Sequence, residues 1–150
     1  MISRIVVTGL GLAILAACAL EPDVGPRLAG TCNDTDTAPR TSVSFSQDIR
    51  PLIVRPTGGC SCHLPSSTGA GTGTQLAGLD LSSFASLRAG GFNSGDRVVV
   101  AGEPCASIMY QKLSDSPPFG SRMPLNGPPF WSPDELRLLH DWIAEGASDN

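Results

Sequence analysis

The clearest periodic stretch of the chain is its last. Behind Ser132, Leu136, Leu139 and Ile143 recur at helical intervals, and Glu135 stands three residues after Ser132 as in a capping box. Pro133 takes the first helical position and Gly146 stops the run. "SVSFSQDIRPLI" gives a shorter version of the same pattern. There Phe45, Ile49, Leu52 and Ile53 share one face behind Ser44 and Gln47, and Pro51 shortens or kinks the helix. Residues 58–78 are rich in Gly, Ser and Thr and read as loop. "LDLSSFASLRAGG" predicts one or two helical turns carrying Phe84 and Leu87, ended by Gly90. "RVVV", Arg97 to Val100, reads as extended, and Pro104 opens a short helix that continues through "ASIMYQKL". Residues 116–130 are dense in Pro and Gly. The pattern is mainly α: short helices joined by long loops, with little strand.

Loops of that length in so small a domain need something to wrap. The apolar residues make a thin core, so a disulfide, a metal or a cofactor is expected to help hold it. The net charge is −4 and Lys112 is the only lysine, which argues against nucleic-acid binding. No internal repeat is visible.

The N-terminus reads as a targeting segment. Arg4 precedes an apolar run, Ile5 to Ala17, of about a dozen residues, short for a membrane span and right for a secretory signal. "LAAC", Leu15 to Cys18, resembles the lipobox of bacterial lipoproteins. That resemblance implies cleavage before Cys18, lipid acylation of Cys18 and a stable membrane anchor. Ala19, where an Asp would signal inner-membrane retention, implies an outer-membrane address in a Gram-negative cell. Either address is an oxidising cell-envelope compartment that permits disulfides. The expected organisation is a signal peptide over 1–17, a flexible tether over 18–40 and one domain over 41–150.

The chemistry centres on "GGCSCHLP", Gly58 to Pro65. Cys62 and His63 form the end of a c-type haem attachment signature, C-x-x-C-H, but Gly59 stands where the first Cys belongs and Cys60 comes one position late. "SFSQDIRPLI", Cys-x-Cys-His, "LDLSSFASLRAGG", "VVAGEPCASIMYQKL", "RMPLNGPP" and "LLHDWIAEGA" follow in that order. Together they resemble the short c-type cytochrome domains of bacterial exported proteins, over roughly residues 43–147.

The resemblance implies a small class I cytochrome c-like fold around one covalently attached haem c, and single-electron carriage to redox partner proteins of the envelope. It implies His63 as proximal iron ligand and Met123, in "RMP", as the distal one; Met109 looks more like core and His140 like a solvated helical histidine. Arg122 is a candidate for a haem propionate, with a solvated arginine as the plainer reading. Cys62 is the thioether position next to His63. The arrangement preferred here hangs haem on Cys62 alone and pairs Cys60 with Cys105. Two others stay open: both thiols on haem with Cys32 paired to Cys105, or no haem and two disulfides among Cys32, Cys60, Cys62 and Cys105. The alternative function is accordingly a haem-free, disulfide-stapled envelope lipoprotein acting as a binding or structural module. Zinc, thioredoxin-like and phosphate-loop readings lack their partner motifs. Asp115, Asp134 and Glu135 read as surface and capping charges, and a Met-ligated iron leaves no open position for peroxidase chemistry.

Overall fold

The computed structural model describes residues 32–67 and 69–150. The segment expected to be a signal peptide, 1–17, Cys18 with Ala19, and the expected tether as far as residue 31 lie outside the described residues. Within them the chain is mainly α, the only β pairing being an isolated bridge between Ser66 and Gly69. No described helix is long and apolar enough to cross a membrane.

The first element bends for a covalent reason. Pro51 has no N–H, and its ring would press on the Gln47 carbonyl in a straight α-helix. The chain therefore opens with a wider π-helical turn, Phe45–Ile49, in which the Arg50 N–H reaches back to the Phe45 carbonyl; α1, Arg50–Val54, follows. Ser44 caps the turn by accepting from the Gln47 amide. The apolar face survives the change of pitch, and Phe45, Ile49 and Ile53 are buried.

A 3₁₀ turn, Ser61–His63, and a short helix α2, Thr72–Ala77, occupy the region read from sequence as loop. Helix α3, Phe84–Ala89, has a reciprocal Ser83/Ser86 cap and ends at Gly90, whose φ of 71° suits glycine. The stretch expected to be extended begins instead within a 3₁₀ turn, Gly95–Val98, and Val99 behind it is extended. A further 3₁₀ turn, Pro104–Ala106, leads into α4, Ile108–Leu113.

Helix α5, Pro133–Ala144, forms as the sequence predicts, with Pro133 in its first turn and the full Ser132/Glu135 capping box. Its Leu139, Trp142 and Ile143 are almost inaccessible. Trp142 meets Phe45 at 5.4 Å between ring centroids and Phe84 at 6.4 Å, and the two phenylalanines meet at 5.3 Å. This aromatic group joins three elements distant in sequence, and truncating such a residue typically costs about 3–5 kcal/mol.

Residues 32–40, expected to belong to a flexible tether, are fastened to the domain. Cys32 is disulfide-bonded to Cys105, and the Cys105 amide donates to Asp34. His140 Nε2 donates to the Asn33 carbonyl at 2.6 Å, and Thr37 donates to Asp141 through both its amide and its hydroxyl. His140 is thus buried and bonded, not solvated. The pairing of Cys60 with Cys105 is not found: Cys105 is taken by Cys32, and Cys60 and Cys62 are free thiols.

Candidate functional site

A cavity of about 380 Å³ opens between the Ser61–His63 turn, α2, α4 and the loop before α5. Its size lies within the range that takes a cofactor or ligand. The wall is overwhelmingly apolar, with Leu81, Val98, Ile108 and Leu113 deep in it and the exposed Leu76 and Leu125 also contributing. Into this one space the fold brings Cys60, Cys62, His63 and Met123, together with Met109.

His63 is buried, and its orientation is fixed from behind. Nδ1 lies 3.0 Å from the Leu79 carbonyl, an acceptor only, so Nδ1 carries the proton and donates. In the neutral ring Nε2 then keeps its lone pair, and it has no hydrogen-bond partner among the described residues. Ligating histidines are commonly held in this way. The backbone around the ring is drawn in closely: the His63 carbonyl accepts the Leu81 amide, and the His63 amide donates to Cys60.

Two glycines let the chain lie close against the Cys62–His63 turn, and one of them, Gly73, leaves the imidazole room. A Cβ on Gly73 would lie 2.9 Å from His63 Cε1 and Nε2, and one on Gly71 would lie 2.4 Å from the Cys62 carbonyl. In the sequence these residues read only as flexible loop. Their role depends on a contact across nine or ten residues, and neither that contact nor the Leu79 carbonyl leaves a mark on the sequence.

The two thiols differ. Cys60 is buried, its amide donates to the Ile53 carbonyl, and burial pushes its thiol up to about 12 against a smaller opposing pull from Arg55. Cys62 is exposed. A buried thiol of that kind stays protonated and inert, whereas an exposed one can react.

Met123 is half-buried against the core and lies in an irregular loop; Met109 is buried in α4. Both residues line the cavity, so the core reading of Met109 and a wall position hold together. Arg122 stacks at 4.3 Å on the Phe130 ring and donates from Nε to the Leu113 carbonyl, so its head is engaged rather than free in water. Imidazole nitrogen, thioether and thiol in an apolar hole form a soft to borderline donor set, suited to iron or copper and not to calcium or magnesium. Among the described residues no three His, Cys, Asp or Glu side chains gather as a metal-holding group.

Comparison with family models, with curated proteins and with solved structures returns no match to this chain.

Proposed function

We propose that this chain is a monohaem c-type cytochrome with a cytochrome c-like frame, lipid-anchored through Cys18, that carries single electrons at the cell envelope. The observation that carries the reading is His63: its Nδ1 is committed to the Leu79 carbonyl and its Nε2, unpaired among the described residues, stands beside an apolar cavity that Cys62 and Met123 also border. The donor set suits a haem: His63 and Met123 would ligate the iron, and Cys62 would hold the ring by a thioether. When bound, the haem supplies a one-electron iron couple, whose potential a Met/His ligand pair raises.

The chain's own residues do the rest. The Leu79 carbonyl keeps the imidazole in one tautomer and one orientation, so little rearrangement accompanies a change of charge nearby. Leu81, Val98 and Leu113 exclude water from the cavity wall, and Leu76 and Leu125 put apolar surface towards solvent. Cys60 stays a protonated thiol, so a single thioether is the expected attachment. Partners are redox proteins of the envelope met in brief, small contacts. The net charge of −4 favours basic partner surfaces and makes association sensitive to salt.

A second reading has one observation behind it: the Cys32–Cys105 bond already staples the domain, as a haem-free binding or structural module would need. Replacing His63 by Ala separates the two. The cytochrome reading expects a reversible one-electron titration in the parent that is lost, or shifted to a different midpoint, in the variant. The module reading expects no such titration in the parent.

A further inference from the structure

Lys112, the only lysine in the chain, stands in the last turn of α4 and borders the cavity. A surface lysine normally lays its stem on apolar surface and extends its ammonium into water. This one turns back. Nζ donates to the Phe119 carbonyl at 2.7 Å and to the Ser121 carbonyl, and it lies 4.9 Å from the centroid of the Phe119 ring. The Lys112 carbonyl accepts the Met123 amide at 2.7 Å. Next to it, the Leu113 carbonyl accepts from Arg122. Among the described residues, the hydrogen bonds tying 117–123 to the body of the domain all run to these two consecutive residues of α4.

We infer that Lys112 is the positioning residue for Met123: its side chain gathers the loop before Met123 and its backbone fixes Met123 itself, so the sulfur is held at the cavity wall. Pro117 and Pro118 cannot donate amide bonds, which leaves the loop few ways of holding itself. An ammonium partly withdrawn from water loses some of its hydration; burial lowers the Lys112 pKa. Two carbonyls and an aromatic face offset that loss. The inference rests on the reading of Met123 as an iron ligand for its consequence, but the clamp itself is open to test without haem.

The experiment compares Lys112→Leu, which keeps the apolar stem, and Lys112→Arg, which keeps the charge and the donors, with the parent protein. Amide exchange at Met123 is followed in each, as are the haem α-band per chain, the near-infrared sulfur-to-iron absorption and the midpoint potential. With Leu the Met123 amide should exchange at least about tenfold faster. Haem content should hold, the sulfur-to-iron absorption should fall and the midpoint should drop; Arg should restore all three losses. Unchanged Met123 exchange in Lys112→Leu overturns the clamp. Faster exchange with the absorption and midpoint intact overturns its bearing on the ligand. If the parent carries no haem, the cytochrome reading fails separately and amide exchange alone decides the clamp. If Lys112→Leu does not fold, Lys112→Gln, neutral and shorter, is read in the same way.

Discussion

The carbonyl of Arg55 occupies the space that a side chain on Gly59 would need: a Cβ there would lie 2.2 Å from that oxygen and 2.9 Å from the Ile53 carbonyl. Position 59 is where the first cysteine of an ordinary haem attachment signature would fall. Its absence is built into the backbone packing that leads from α1 to Cys60. Arg55 is itself pinned, with a forked ion pair to Glu135 at the start of α5, a bond to the Gly58 carbonyl, and a position 5.8 Å from the Trp131 ring.

Restoring the usual spacing should therefore harm the protein. Gly59→Cys and Gly59→Ala are both expected to lose at least about 1–3 kcal/mol, the usual cost of overpacking, measured as a lower urea midpoint. Equal losses in the two variants would assign the effect to the Cβ and not to the thiol. A Gly59→Cys protein of parental stability carrying two thioethers would show that the backbone yields there.

The cysteines should sort by environment. Peptide mapping under non-reducing conditions is expected to find Cys32 linked to Cys105. Before haem attachment, a small alkylating reagent near pH 8 should label Cys62 and spare Cys60 until the protein is unfolded, since burial holds the Cys60 thiol at about 12. Recovery of a Cys60–Cys105 peptide would overturn the assignment. Because the disulfide closes a loop with a sequence separation of 73, its removal should cost about 4 kcal/mol.

Acid should loosen the segment that crosses α5. Burial alone would raise the Asp141 carboxyl, but bonds from the Thr37 side chain and amide and from His140 outweigh it and hold Asp141 low. Hydrogen bonding to Arg55 chiefly holds Glu135 low, against burial. Carboxyls depressed in the folded state add stability that is complete above their unfolded values, about 3.9 and 4.3, and is lost as pH falls through the folded ones. Asp141→Asn should be less stable than the parent by about 1 kcal/mol at pH 7, and the gap should close towards pH 3. A gap that stays constant with pH would remove the carboxylate from this account.

Gly73→Ala tests the approach to His63. Alanine improves helix propensity by about 1 kcal/mol, so stability should change little while the added methyl presses on the unpaired side of the imidazole. The expected result is less haem per exported chain at similar melting temperature. Undiminished haem would mean that α2 moves aside at no cost.

Much of the frame was legible because local signals agreed. Ser132, Pro133, Glu135 and the Leu139/Ile143 stripe all specify α5, and the Phe45/Ile49/Ile53 face was readable although the π turn was not. What failed was set at long range. Thr72 to Ala77 is helical despite three weak formers, Thr72, Gly73 and Thr74, because it packs on the Cys62–His63 turn. His140 is polar in a helix and reads as solvated, yet Asn33 and Asp141 satisfy both its nitrogens in a buried place. The segment from Cys32 to Arg40 has tether-like composition, and only the Cys105 partner shows that it is fastened. The Cys-x-Cys-His spacing and the family resemblance nominate the site residues, but not the Leu79 carbonyl, the Lys112 contacts or the contrast between the two thiols.

The most direct test of the central claim is a pyridine-haemochrome spectrum of the chain exported from cells with haem maturation intact. The spectrum is expected to show a covalent haem, one per chain, with an α-band at the position that marks a single saturated vinyl group, as Cys62 alone would leave it. A colourless, compact protein that retains its Cys32–Cys105 bond would contradict it.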